Sequence, residues 1–244
     1  PQQVRLFQEG GLPLAVMLLL DTSSSMGSVF PQVQQAAVEF LRQLEPRDMA
    51  SVVTFGDTMQ VRQPFTTDHA ALEQAVVEAR AWGSTRLYTA LYVALKKLGP
   101  EIAAADPVTP RRSATIVLSD GTDTASVLPF DDVLALATRA DTAVYAIRMG
   151  RSVANLEETE EAEFVLRQLA TQTGGRAFLG MRPEELRLVY DDIRAELAGQ
   201  YALGFVSTNV QKDGAFRRLA VQILRANAYA RARRGYFAPG TEPR

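Results

Sequence analysis

Residues Leu14–Gly27 read LAVMLLLDTSSSMG, an unbroken apolar run that stops at Asp21 and gives way to a threonine and three serines. A run of that length, bounded by a polar turn, has the character of a strand buried on both faces, as in the middle of a parallel sheet. The polar end places Asp21, Ser23 and Ser25 in one tight loop, with Ser24 and Gly27 easing the bend. Three oxygen-bearing side chains in such a loop suit a hard divalent cation, magnesium above all. Two of the three are neutral hydroxyls, so the ion's charge would be only partly answered and would attract an outside anion.

Working outward, strand-like and helix-like segments alternate from residue 14 to about residue 198, the pattern of a parallel sheet with helices on both faces. Helical spacing runs over 29–44 and stops before Pro46. Strands are predicted at 50–55 and 59–63, joined at Gly56-Asp57, and at 114–118, 143–147 and 176–179. Helices are predicted over 68–81, 88–98, 131–140, 164–173 and 184–197. The acidic stretch 157–163 reads as a solvated helix face or loop. After Gly199 three strands are expected, at 201–207, 218–224 and 229–237, with Asp213-Gly214 as a turn. The expected organisation is a strand or linker from a preceding region over 1–13, an α/β domain over 14–198 and an antiparallel β extension over 199–244. The fold class is therefore α/β, doubly wound and mostly parallel, with that β extension.

Composition narrows the chemistry. The 244 residues, 47% hydrophobic and 22% charged, fit an ordinary globular protein. Net charge is −2, but residues 199–244 hold Lys212 and seven arginines against Asp213 and Glu242, a local +6 that leaves −8 elsewhere. Those arginines alternate with apolar residues, as on strands with one solvated face, so nucleic acid is not an expected partner. No cysteine is present, which removes disulfides, zinc–thiolate sites and cysteine nucleophiles. The single histidine, His69, follows Asp68 at a helix start and reads as a surface residue. No segment has the length of a transmembrane helix, and no signal-peptide pattern is read.

In an open parallel sheet, ligands bind beyond the carboxyl ends of the strands. Three loops should meet there: Asp21-Thr22-Ser23-Ser24-Ser25, Gly83-Ser84-Thr85, and Asp120-Gly121-Thr122-Asp123. Each alone is ordinary turn or helix-cap material. Their order, each after the correct kind of element, is what is specific.

On these residues the chain resembles the von Willebrand factor A domain, whose metal-ion-dependent adhesion site joins a DxSxS loop to a later threonine and a later aspartate. The match is Asp21, Ser23 and Ser25, then Thr85 in GSTRLYTAL, then Asp120 in IVLSDGTDT. It is similar in particular to a bacterial von Willebrand A-related group, through LPLAVMLLLDTSSSM, QYALGFVSTNVQKDGAFRRLAVQI and RARRGYFAP. The resemblance implies Ser23 and Ser25 as direct ligands of Mg2+, with Mn2+ or Ca2+ as alternatives. It implies Thr85 as a ligand direct or through water, and Asp21 and Asp120 mainly as groups that hold waters and hydroxyls. The open coordination position would take an Asp or Glu of a protein partner, with Ser24, Arg86, Thr122 and Asp123 as candidate partner contacts. Ser24 and Ser84 stand where glycine is common in the family, and Thr89 where the bacterial group often has aspartate.

The implied function is a cation-dependent protein-binding or adhesion module and not an enzyme. The alternatives are a scaffold or regulatory subunit of a larger bacterial assembly, and a metal-assisted hydrolase. The hydrolase would need a general base or a second metal near the first, for which Asp123 and Asp57 are the candidates. By the same resemblance the protein is expected outside the cytoplasm, and residues 1–13 are expected to close a β region ahead of the domain.

Overall fold

A computed structural model describes residues 2–120, 123–150, 156–228 and 230–240. In chain order the elements are β1 (Val4–Glu9), β2 (Leu14–Asp21), α1 (Phe30–Arg42), β3 (Met49–Phe55), β4 (Met59–Thr66), α2 (His69–Val77), α3 (Leu87–Ala105) and β5 (Arg112–Ser119). They continue with α4 (Phe130–Arg139), β6 (Thr142–Met149), α5 (Leu156–Thr173), β7 (Ala177–Met181), α6 (Leu186–Ala198), β8 (Tyr201–Phe205), β9 (Phe216–Arg218) and β10 (Gly235–Phe237).

Six strands form the central sheet in the order β4-β3-β2-β5-β6-β7. All neighbours are parallel except β3 and β4, which form the hairpin expected around Gly56-Asp57. All eight residues of β2 are buried, which explains their lack of polar alternation: this strand has a helix layer on each face. Leu14, Val16, Leu18 and Leu20 point into a core built with α1, α2 and α6. Ala15, Met17 and Leu19 point the other way, into a core built with α3, α4 and α5. At the start of β2, the buried Asp48 carboxylate accepts the Leu14 N–H at 2.7 Å and the Glu45 N–H at 3.0 Å, so a charge inside the edge is satisfied by backbone donors.

The chain leaves β2 toward β3 and later returns to β2's other side with β5. That reversal makes a crevice at the carboxyl ends of β2 and β5, where doubly wound sheets bind ligands.

Several element bounds differ from the sequence expectation, each for a physical reason. Helix α3 runs past Gly99-Pro100 to Ala105, because Ile102 still packs on the core beyond the proline. Helix α5 takes in the whole acidic stretch 157–163, whose first-turn Glu157 and Glu158 suit a helix N-terminus. Asp68 caps α2, accepting from Ala70 and Ala71 at 3.0 and 3.2 Å, and His69 behind it is half-buried rather than fully exposed.

The largest difference lies after Gly199. Strands there are short, at 201–205, 216–218 and 235–237, and residues 219–224 form no strand despite their alternating pattern. Val221, Ile223 and Leu224 stay exposed, since among the described residues no neighbouring strand is there to pair their backbone. Of the strand expected at 229–237, Tyr229 lies outside the described residues. The segment is held instead by side chains: Arg231 pairs with Glu196, Arg233 with Asp141 at 2.9 Å, and the Arg139 guanidinium lies 4.4 Å from the Phe237 ring centroid. Strand β1 pairs antiparallel with β8, Glu9 opposite Tyr201, so the first residues of the chain and the first of the extension form one ribbon.

Candidate metal site at the carboxyl edge

Strand β2 delivers Asp21 to the edge fully buried, and the loop after it turns back at once. The Asp21 Oδ1 accepts the Ser23 N–H at 2.8 Å, an Asx turn that aims the Ser23 hydroxyl along the edge. Ser23 Oγ and Ser25 Oγ lie 3.0 Å apart. Thr22 ties the loop to the end of β3, its N–H and hydroxyl both donating to the Phe55 carbonyl at 2.7 and 2.9 Å.

Parallel register sets Leu20 beside Leu118, which puts the next residues, Asp21 and Ser119, side by side. The Ser119 hydroxyl donates to Asp21 Oδ2, and Asp120 follows, half-buried at the mouth. Ser119 was readable in principle: a hydroxyl closing a mostly apolar strand, one residue ahead of a site aspartate.

The second loop joins the first by paired bonds. Ser24 N–H donates to the Gly83 carbonyl at 2.9 Å, the Gly83 N–H returns to Ser24 Oγ at 3.0 Å, and Trp82 N–H donates to the Thr22 carbonyl at 2.6 Å. Gly83 has φ +90°, and a Cβ there would lie 2.4 Å from an Asp57 oxygen, so glycine is required. Asp57 braces the next residue, accepting the Ser84 N–H at 2.9 Å and its hydroxyl at 2.6 Å. These two bonds hold the Asp57 carboxyl below its usual range. Thr85 is thereby fixed with 4% of its surface exposed.

The third loop is laced to the second. Thr85 N–H donates to Thr124 Oγ1 at 3.1 Å and Thr124 N–H to the Thr85 carbonyl at 3.0 Å. Helix α3 has no side-chain cap from its own N-cap residue, Arg86. Asp123 caps it from across the edge, Oδ2 accepting the Tyr88 N–H at 2.7 Å while Oδ1 accepts Ser126 N–H at 2.8 Å. Ser126 Oγ in turn accepts the Thr89 N–H at 3.0 Å. These are the orphan donors of a helix start, satisfied by a neighbouring loop.

The positions that depart from the family pattern thus have structural work: Ser24 bonds Gly83, Ser84 bonds Asp57, and Thr89 bonds Ser126. None of these braces was identified from sequence, where Asp57, Asp123 and Ser126 look like plain turn residues. Among the candidate partner contacts, Ser24 and Arg86 are exposed, Asp123 is engaged through both oxygens, and Thr122 lies outside the described residues. Asp57 and Asp123, the carboxylates a hydrolase would need, both serve as braces.

Burial pushes the Asp21 carboxyl up to about 6, against the hydrogen bonds from Ser119 and Ser23, and nearby Asp120 pushes the same way. Among the described residues no group of three or more His, Cys, Asp or Glu comes together. What the edge offers is two aspartates behind a set of hydroxyls, a donor set that fits a hard, oxygen-seeking divalent cation and no soft metal. A cation beside Asp21 would answer the charge that burial now disfavours.

The domain is α/β, and its switch-point edge sets hydroxyls around the buried Asp21 and the half-buried Asp120. Residues 16–122 match the family model of the von Willebrand factor type A domain. A UPF0353 protein of Mycolicibacterium gilvum is 25% identical over 221 residues, 82% of this chain and 65% of that protein's length. Among solved structures, a von Willebrand factor type A protein from Catenulispora acidiphila superposes with TM-score 0.61 at 18% identity, covering 78% of this chain and 43% of that one. Proximal thread matrix protein 1 of the mussel byssus, in a structure described as having a zinc-occupied MIDAS motif, gives 0.60 at 16% identity, covering 76% of this chain and 48% of that one. The chain thus spans about two thirds or less of the length of these relatives.

Proposed function

We propose that this protein is a cation-dependent protein-binding module. Ser23, Ser25 and Thr85 would hold a divalent cation by their hydroxyls, with Asp21 and Asp120 behind them. When bound, the ion supplies an unfilled coordination position that accepts a carboxylate. The chain's residues do the rest: the Asp21 turn aims Ser23, Ser119 fixes Asp21, and the cross-loop bonds keep Thr85 in place before any ligand arrives. Such preorganisation lowers the ordering cost of binding.

The observation that carries this reading is the contact between the Ser23 and Ser25 hydroxyls directly in front of the buried Asp21 carboxylate. Mg2+ is the expected ion because the donors are hard and few, with Mn2+ and Ca2+ as alternatives; the zinc reported for the mussel protein is in line with a divalent cation at such a motif. The partner would be a protein presenting Asp or Glu, meeting the exposed Ser24 and Arg86. By the same family likeness the protein would work outside the cytoplasm. No helix among the described residues is long and apolar enough to cross a membrane.

Mg2+ should raise the melting temperature of the wild type in a concentration-dependent way. Ser23→Ala should lose that gain while melting near the wild type in chelator. Equal gains for both proteins would overturn the metal site, and a pull-down with Mg2+ against chelator would test the partner.

A further inference from the structure

Beside the metal edge, a cavity of about 100 Å³ opens between the β3–β4 turn and the segment after α2. Two threonines that line it are more than nine-tenths buried, Thr22 with 7% and Thr54 with 6% of its surface exposed. The Thr22 hydroxyl donates to the Phe55 carbonyl and keeps a lone pair for a further donor. The Thr54 hydroxyl makes no hydrogen bond to a described residue. A hydroxyl so deeply placed calls for a partner, and the cavity is the side from which one can come.

Around these hydroxyls the charges cancel: the wall holds the carboxylates of Asp57 and Glu78 and the guanidinium groups of Arg62 and Arg80. No ionic ligand of either sign is favoured. Each of the four nevertheless keeps unused bonding capacity. Asp57 takes both Ser84 bonds on Oδ1 and Glu78 takes the Gln74 amide on Oε1, while Arg62 and Arg80 donate to described residues only from Nη1. Free acceptors and free donors thus share one small space. That pattern suits an uncharged ligand whose every polar group both donates and accepts, a polyhydroxyl compound.

Trp82, the only tryptophan of the chain, lines the same cavity and is 61% exposed. Its backbone is fixed by the bond from its N–H to the Thr22 carbonyl at 2.6 Å and by the neighbouring Gly83–Ser24 pair. The indole is therefore a flat apolar surface on a rigid support, next to hydrogen-bonding groups. A pyranose ring needs both, since it carries C–H groups on its faces and hydroxyls around its rim. A cavity of this size takes one edge of a single ring and leaves a ring face for the indole.

We infer that this cavity binds one neutral pyranose residue of a glycan. The Trp82 indole covers the C–H face of the sugar, Thr22 and Thr54 meet a hydroxyl that enters the cavity, and the charged groups of the wall bond the hydroxyls at its mouth. No cation takes part, so the inference goes beyond the metal-dependent reading and stands without it.

Because Trp82 is the sole indole, its fluorescence reports on this site. The probes are the methyl glycosides of glucose, galactose, mannose and N-acetylglucosamine, titrated into the whole chain with Mg2+ and with chelator. Sorbitol, a polyol without a ring face, and methyl glucuronide, a charged sugar, are the controls. At least one glycoside should change the emission saturably, with a Kd on the order of 1 mM and the same value in Mg2+ and in chelator. Sorbitol should leave the emission unchanged, and the glucuronide should bind no tighter than the glucoside. Thr54→Val, which keeps the branched shape and loses the hydroxyl, should weaken binding about fivefold, the loss of one hydrogen bond, while its melting temperature still rises with Mg2+. Trp82→Leu, read by saturation-transfer NMR on the sugar, should weaken binding about tenfold, and it serves if Thr54→Val does not fold. Failure of all four glycosides would overturn the sugar site and leave the metal reading standing. Tighter binding of the glucuronide, an unchanged affinity in Thr54→Val, or binding that needs Mg2+ would each overturn it as well. A protein that binds the sugar and gains nothing from Mg2+ would keep this inference and overturn the metal reading.

Discussion

Replacing Asp21 by asparagine should make the protein more stable in chelator and blind to magnesium. The Asp21 carboxyl is raised from 3.8 to about 6 by burial. At about 1.4 kcal/mol per unit, keeping it ionised at neutral pH costs about 3 kcal/mol of folding stability when no cation is bound. The direction follows from proton binding: between pH 4 and 6 the folded state holds a proton that the unfolded state has lost. This contribution is thus fully present below the unfolded value and is lost as pH rises to about 6. Asparagine has the same shape, keeps an acceptor for the Ser23 N–H and carries no charge, while its amide must face the Ser119 hydroxyl. The expected gain is therefore about 2 to 3 kcal/mol, or about 4–12 °C for a chain of this size. Urea unfolding in chelator at pH 7.5 reads the gain directly, and a series from pH 4 to 6 should show the wild type losing ground to Asp21→Asn. Adding Mg2+ at about 100 times its Kd should return about 2.7 kcal/mol to the wild type and nothing to the variant. An Asp21→Asn protein that is less stable in chelator, or that gains equally from Mg2+, would refute the argument that this carboxylate is held uncomfortably buried to meet a cation.

Gly83→Ala should destabilise by about 1–3 kcal/mol, because φ is +90° and the new methyl would meet Asp57. Calorimetric titration should also show weaker Mg2+ binding, since Gly83 ties Ser24 in place; unchanged affinity would separate that tie from the metal edge. Tyr190 is 2% exposed, stacks on Phe40 with ring centroids 5.0 Å apart, and its hydroxyl has no hydrogen-bond partner among the described residues. Tyr190→Phe should therefore be neutral or stabilising by about 1 kcal/mol in urea, and a clear loss would mean that the hydroxyl is satisfied after all. Burial pushes Tyr145 up to about 12, so stability should hold to pH 10 and fall as pH rises from 10 toward 12. Tyrosine absorbance should show this group titrating only with unfolding, and early ionisation in the folded protein would count against its burial.

The strands of the central sheet were legible because buried parallel strands are written as apolar runs with few polar breaks: Leu14–Leu20, Ala114–Leu118, broken only at Thr115, and Ala143–Ile147 all fall inside observed strands. Where apolar period is missing, the sequence is mute. Four of the first seven residues of α5 are glutamate, and only helix propensity and first-turn charge, not a buried stripe, argue for them. Alternation in Arg218–Leu224 shows what a strand would look like, but pairing needs a neighbour, and that is a property of the whole fold. At the metal edge, Asp21, Ser23, Ser25, Thr85 and Asp120 could be assembled from order and loop position. The braces could not, because Asp57 to Ser84, Asp123 to Tyr88 and Ser126 to Thr89 are bonds spanning 27, 35 and 37 residues.

Those long-range bonds have a consequence for how the edge breathes. The first N–H groups of α3 are protected by a loop that follows β5, and the Ser24–Gly83 pair depends on the loop that Asp57 and Thr85 hold. The helix start cannot fray by itself, as helix ends ordinarily do, without releasing Asp123, Thr124 and Ser126 as well. Opening should therefore be a single collective event for three loops, with the backbone amides of Ser24, Gly83, Thr85, Tyr88, Thr89 and Thr124 expected to exchange with solvent together. A ligand that holds any one of the three loops should then slow solvent exchange in all of them.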